Sequence, residues 1–332
     1  MYSIGLDISK SSVNVHVPLG ALDLEIENSL KSFKSLYSKL KKLYKKEIDK
    51  ITFVFESTGS YSVLLYKFCA DKNIKVFMIN PKQARNFARA IAQRNKSDVI
   101  DARVLSQAIV VAREKEIRVP VIDPIVEEMK ELMVYYRLRV KQRVQLSNHL
   151  ESLVSRGGSK VLIRTVKVEI KSLKKSEDNI TEQVHTIIFK SEDLRDKYEV
   201  ITSIDGIGKI GGIVLLHLFI KYPHANQRQI VSLSGLDPII RESGTSIRGK
   251  SRISKAGSRL YRGTLFMAAM ASTLHNAQMK VFYERLKVKG KHTTLAQIAV
   301  MRKLVVVAHS LYKSGEVYDK ELYKKTTGIR SE

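Results

Sequence analysis

Asp98 and Asp101 lie three residues apart in Lys96-Ser-Asp-Val-Ile-Asp-Ala-Arg103, a spacing that stacks both carboxylates on one face of a helix. Two more acids stand beside apolar, strand-like sequence: Asp7 interrupts Tyr2-Ser-Ile-Gly-Leu-Asp-Ile8, and Glu56 ends Ile51-Thr-Phe-Val-Phe-Glu56. A carboxylate in such surroundings is costly unless a cation meets it, and like charges stacked together repel. A pair of divalent ions would answer all four acids, and hard carboxylate oxygens suit Mg²⁺ or Mn²⁺. Ions held this way activate a nucleophile and stabilise a leaving oxygen, which is the chemistry of cutting or joining phosphodiesters. For Asp98 and Asp101 a competing account exists, because acids in the first helical turn after Ser97 would offset the helix dipole.

A second constellation runs from Gly235-Leu-Asp-Pro238 through Glu242-Ser-Gly244 and Arg248-Gly249 to Ser254-Lys-Ala-Gly257 and Arg262. Between 241 and 262, the seven basic residues Arg241, Arg248, Lys250, Arg252, Lys255, Arg259 and Arg262 face a single acid, Glu242. A basic, hydroxyl-rich, glycine-punctuated stretch suits a phosphodiester backbone. Ser243 could attack phosphorus with these cations easing the charge, or could simply form a loop. The turn Ser203-Ile-Asp-Gly-Ile-Gly-Lys209 has the form of a hairpin between two helices, open to phosphate contact at Lys209 or to no ligand at all. Lys96 and Arg103, which flank the aspartate pair, complete the nucleic-acid-contact candidates. The histidines are scattered and no Walker-type loop precedes a Lys-Ser or Lys-Thr pair, so the pattern favours neither a histidine metal site nor an NTPase.

Composition points the same way. The 58 Lys and Arg against 33 Asp and Glu give a formal net charge of +25, which suits a polyanionic partner, although a lysine-rich background would also raise it. Cys69 is the single cysteine, so an internal disulfide and a cysteine-based zinc site are excluded. Asp7 and Lys10 interrupt the N-terminus too early for the apolar core of a secretory signal, and the apolar run Leu304–Ala308 is far short of a membrane span. A cytoplasmic protein with no membrane partner is the expectation.

The elements that must position these residues are legible as patterns. Residues 2–8, 13–17 and 22–26 read as three strands of an antiparallel meander, followed by a helix over 29–47 and the strand ending at Glu56. A helix over 61–72, a strand over 75–79 and helices over 82–94 and 98–114 complete a mixed α/β region. After Pro120 and Pro124, a stripe from Met129 to Val154 predicts one long helix that Gly157 and Gly158 break, followed by a second helical stretch over 160–199. This pair reads either as a coiled-coil-like arm or as a helical domain with its own packing. The expected division is therefore 1–120, 121–199 and 200–332.

Taken in order, Gly5-Leu-Asp7, Phe55-Glu-Ser-Thr-Gly59, Ile79-Asn-Pro81, Asn95-Lys-Ser-Asp-Val-Ile-Asp-Ala-Arg103 and the C-terminal strings resemble the DEDD-type insertion-sequence transposases related to the Piv DNA invertases. That family includes recombinases guided by a bridge RNA. The resemblance covers nearly the whole chain. It implies a RuvC-like, RNase H-type mixed-sheet domain, a helical coiled-coil-like arm and a mostly helical C-terminal transposase domain. It also implies Mg²⁺ on Asp7, Glu56, Asp98 and Asp101, and Ser243 as the nucleophile that forms a transient phosphoserine link. Partners implied are target and donor DNA, a guide RNA, and further copies of the chain, assembled from dimer to tetramer with the active site shared between protomers.

Three functions compete on these residues. The first is an RNA-guided DNA recombinase that needs no ATP. The second is a metal-dependent nuclease or Holliday-junction resolvase in which water replaces Ser243. The third is a basic nucleic-acid-binding protein without catalysis, whose acids only cap helices.

Overall fold

The computed structural model describes residues 1–57, 59–93, 97–239 and 252–321, with the backbone of 242–243 and 247–248. It contains two compact units, Met1–Ile122 and Asp123–Glu332.

In the first unit, β1 (Tyr2–Ile8), β2 (Ser12–Val17) and β3 (Leu22–Glu27) form the expected meander, and β4 (Ile51–Glu56) and β5 (Lys75–Ile79) extend it in parallel. The strand order is β3-β2-β1-β4-β5, so β1 and β4 are interior. Helix α1 (Leu30–Tyr44) and helix α2 (Val63–Asp71) cover one face, where Ile4, Leu6, Phe33, Leu40, Phe53, Phe55, Leu65 and Phe68 are buried together. Cys69 belongs to that core; it is fully buried, and desolvation pushes its thiol well above the usual range.

Helix α3 (Pro81–Ala90) starts at Asn80, whose side chain accepts the Lys82 N–H while Pro81 supplies a preset φ at N1. Helix α4 (Asp98–Gln107) covers the opposite face of the sheet, with Leu105 and Ala108 against Val54, Phe77 and Ile79. With both faces covered, β4 is buried along nearly its whole length and loses the alternation of a half-exposed strand. The helix expected over 98–114 ends at Gln107. A tight turn of 3₁₀ helix over Ala108–Val111 takes its place, in line with the stiff β-branched run Ile109-Val-Val111.

The second unit opens with two long helices, α5 (Pro124–Ser155) and α6 (Lys160–Phe189), that pack on each other. The Arg143 Nε donates to buried Glu177 across them at 2.6 Å. The single helical stretch expected over 160–199 is two helices. Ser191 caps a new one, α7 (Glu192–Thr202), by accepting the Leu194 N–H, and Glu192 and Asp193 in its first turn complement the dipole.

Helices α8 (Lys209–Lys221), α9 (Gln227–Leu233), α10 (Arg259–His275), α11 (Ala277–Val288) and α12 (Thr293–Ser314) follow among the described residues of this unit. Between α9 and α10 lie four two-residue strands, β6 (Pro238–Ile239), β7 (Glu242–Ser243), β8 (Ile247–Arg248) and β9 (Arg252–Ile253), paired β6 with β9 and β7 with β8. Helix α12 contains the apolar run Leu304–Ala308 and is, by length and composition, long and apolar enough to cross a membrane. It is a core helix here. Val300, Leu304, Val305 and Ala308 are buried, α12 packs on α7, α8, α9 and α10, and polar Gln297 and His309 are buried with it.

Helix α5 is tied to α8 and α10 through His217, whose Nε2–H donates to the Val126 carbonyl at 3.1 Å while Nδ1 accepts from the Tyr261 hydroxyl at 2.9 Å. Burial holds the imidazole down to about 4, below its ordinary value of 6.5, so the fold keeps the neutral form. The contribution is full above the ordinary value and fades as pH falls toward the folded one. The urea midpoint is expected to drop between pH 7.5 and pH 4.5, and that drop should shrink in His217→Gln; an identical pH profile in both proteins would assign it elsewhere.

Candidate functional site

Side chains alternate along a strand, so Asp7 lies on the same face of β1 as Gly5, two residues earlier. That face belongs to α4. A Cβ at Gly5 would stand 1.9 Å from the Ala102 carbonyl oxygen and 2.5 Å from the Ser106 nitrogen, so only glycine lets the helix backbone settle on the strand. The consequence is convergence of acids from distant parts of the chain. Carboxylate oxygens of Asp7, Asp98 and Asp101 all lie within 4.8 Å of one another.

Glu56 sits one position beyond the last registered pair of β1 and β4, Leu6 with Phe55, and it shares the face of Val54. Its carboxylate is not one of the three gathered in that group. The four acids read from the sequence are thus three gathered together and one on the neighbouring strand.

Magnitudes separate the metal account from the capping account. At such distances two unit charges repel by roughly 1 kcal/mol in water and about 3 kcal/mol at the effective dielectric of a protein surface. An acid in a first helical turn gains only about 0.3–1 kcal/mol from the dipole. The cap itself is already supplied, since Ser97 Oγ accepts the Ile100 N–H at 3.3 Å. The dipole gain alone is therefore smaller than the repulsion, and hard oxygen donors from three side chains fit a divalent cation such as Mg²⁺ or Mn²⁺.

Other candidates are placed differently from one another. Arg103, on α4, pairs with Asp23 of β3 through Nε and Nη2, and Asp23 also meets His16 Nδ1 at 2.7 Å. The Arg103 guanidinium and then the His16 hydrogen bond hold the Asp23 carboxyl down to about 2. Sequence reading gave no signal for Asp23, because its partner is 80 residues away. Lys209 begins α8 and lies 3.9 Å from Glu182, both well exposed.

In the second unit, Ser254 donates to Asp237, and the Lys255 N–H donates to the Gly235 carbonyl at 3.2 Å. A Cβ at Gly257 would collide with the Leu233 carbonyl at 2.2 Å, so the strings at 235–238 and 254–257 interlock through backbone contact. Arg262 braces this junction by donating from Nη1 to the carbonyls of Lys255 and Gly257. Arg252, Lys255 and Arg259 are exposed. Ser243 and Arg248 lie on the paired strands β7 and β8, where Ser243 is registered with Ile247 and Glu242 with Arg248. Lys96, Arg241 and Lys250 lie outside the described residues.

The class that emerges is an α/β unit with a metal-competent carboxylate cluster, followed in the chain by a basic helical unit. A DEDD-type IS110 transposase model matches residues 4–157, and a model described as the transposase IS116/IS110/IS902 family matches residues 198–284. The chain is 25% identical over 284 residues to the pilin gene-inverting proteins of Moraxella bovis and Moraxella lacunata, covering 82% of this chain and 83% of each relative. It is 28% identical over 126 residues to an uncharacterized 43.6 kDa protein of insertion element IS110 from Streptomyces coelicolor, 37% of this chain and 30% of that one. The chain belongs to the IS110 family of transposases, which are DNA-rearranging enzymes.

Two predictions test this geometry. Gly5→Ala should destabilise the first unit by about 1–3 kcal/mol through overpacking against backbone, read from the denaturation midpoint, and should weaken Mn²⁺ binding; full retention of both would contradict the close approach. If Arg103 serves α4, Arg103→Ala and Asp23→Asn should each lower the thermal midpoint and the double variant should add little. Unchanged stability with weakened DNA binding would instead assign Arg103 to nucleic acid.

Proposed function

We propose that the protein is an RNA-guided DNA recombinase of an insertion sequence that breaks and rejoins strands through a covalent phosphoserine intermediate. The observation that carries the reading is the convergence of Asp7, Asp98 and Asp101 from separate parts of the chain. The strand order β3-β2-β1-β4-β5, with an antiparallel meander and two parallel strands, supports taking the first unit as RuvC-like. Asp7, Asp98 and Asp101, with Glu56 completing the set, would hold Mg²⁺, or Mn²⁺ in its place. Bound there, the ion would supply charge stabilisation at the reacting phosphate.

In this reading the Ser243 hydroxyl oxygen attacks phosphorus and gives up its proton. A Ser–O–P bond forms, a phosphodiester P–O bond breaks, and the displaced strand leaves with a free hydroxyl. Attack of a hydroxyl on the phosphoserine then reverses these bonds and restores Ser243. One phosphate ester is exchanged for another, so no ATP is needed. Lys209, Arg248, Arg252, Lys255 and Arg259, with Lys96, Arg241 and Lys250, would contact phosphates, which position a nucleic acid without reading its bases. Arg103 and Arg262 would act through Asp23 and through the 255–257 backbone. Sequence choice would fall to base pairing with a guide RNA, and further copies of the chain would complete the assembly.

Ser243→Ala is expected to abolish protein–DNA adducts on denaturing gels and strand exchange while leaving binding intact; adducts that persist would remove the serine from the mechanism. Asp7→Asn and Asp101→Asn should each stop chemistry with little loss of affinity. DNA cleavage without adducts in the wild type would favour the water-dependent nuclease, and undiminished activity in both aspartate variants would favour a binding protein. Withholding the transcript of the DNA beside the gene should stop recombination at a defined target; equal activity without it would refute RNA guidance.

A further inference from the structure

We infer that a groove in the second unit, bounded by α5, the turn before α8 and the start of α10, holds a nucleic-acid phosphodiester backbone with Arg137 and Arg259 as its cations. The inference rests on the nucleic-acid reading above and adds a location and a residue, Arg137 of α5, that the basic motif at 241–262 does not contain.

The groove has a volume of about 640 Å³, and its walls include Tyr136, Arg137, Gly208, Lys209, Arg259 and Met267. That is far more room than one small anion needs, so an extended ligand fits better. Its charges are unevenly answered. Arg143 is satisfied by Glu177, and Lys209 lies 3.9 Å from Glu182 in an exposed pair. Arg137 and Arg259 are exposed, and among the described residues neither pairs with a carboxylate.

They also crowd Arg262. Its guanidinium is pushed below its usual range first by burial and then by the positive charges of Arg259 and Arg137. Cations gathered at a concave surface without a counter-ion favour an anionic occupant. The backbone is open to it as well: a Cβ at Gly208 or Gly263 would meet nothing within 4 Å. Gly208, at the N-cap of α8, has no side chain with which to cap the first N–H groups of that helix. The apolar floor of Ile210, Leu260 and Ala268 suits sugar carbons between phosphates. A basic groove of this kind grips the backbone whatever the sequence.

The test uses the full chain with fluorescently labelled DNA and RNA of one sequence, as single strands and duplexes, titrated over a series of KCl concentrations. Arg137→Gln/Arg259→Gln should bind roughly tenfold or more weakly at about 0.1 M salt, and the log–log salt slope should fall by about 0.9 per lost contact on duplex DNA and about 0.7 on single strands. Arg137→Lys/Arg259→Lys should restore the slope. Loss with DNA alone assigns the groove to DNA, loss with RNA alone assigns it to RNA, and either supports the inference. Unchanged affinity and slope for both polymers would overturn it. Should the double variant fail to fold, Arg137→Gln alone, on an exposed helix face, should still lose one contact's worth of slope. The Ser243 adduct assay keeps the two readings apart: unaffected groove variants alongside adducts that depend on Ser243 would remove only the groove, whereas wild-type protein that binds no nucleic acid would remove the function beneath it.

Discussion

The structure of the first unit depends on a missing side chain. Without a Cβ at Gly5, the backbone of α4 comes down onto β1, and the position of every group on that helix follows. Strand alternation places Asp7 on the same face, and the start of α4 delivers Asp98 and Asp101 to it. The apolar contact of Leu105 and Ala108 with Val54, Phe77 and Ile79 holds the far end of the helix, and the Arg103–Asp23 pair holds its side. A cluster of like charges is thus imposed by packing that gains nothing from the charges themselves. Three hard oxygen donors gathered in this way fit a divalent cation.

The second unit shows a different economy of charge. The segment 241–262 is rich in cations, yet they are not equivalent. Arg262 is spent on the carbonyls of Lys255 and Gly257, while Arg252, Lys255 and Arg259 stand exposed. The glycines at 235 and 257 permit the backbone contact that Arg262 braces. A net charge of +25 is therefore no count of phosphate contacts, because part of it is built into the fold.

Much of this was legible beforehand. Period-two and helical patterns located all five strands of the main sheet and the α5 boundary, since Pro124, Gly157 and Gly158 are strong local punctuation. The division between α6 and α7 was also written in the sequence: Ser191-Glu-Asp is a capping signal, but continuous helical spacing on both sides masked it. The early end of α4 was harder to see, because its last turns are set by contact with β4 and β5. In the first unit the carboxylates could be picked out by type and apolar context, whereas Asp23 could not, because its partner Arg103 lies 80 residues away. In the second unit Arg137 could not be picked out either, since its neighbours around the groove come from elements far along the chain and no periodicity reports that.

Cys69 offers an experimental opening. The chain has one thiol, it lies on the buried face of α2 in the core, and burial keeps it protonated, so thiol-specific reagents should find nothing to modify in the native fold. The wild-type sequence is already a silent background for spectroscopic labels. A cysteine introduced on the outside of each unit would carry a pair of dyes or spins without deleting any native residue first, making distance changes between the units measurable as substrates bind.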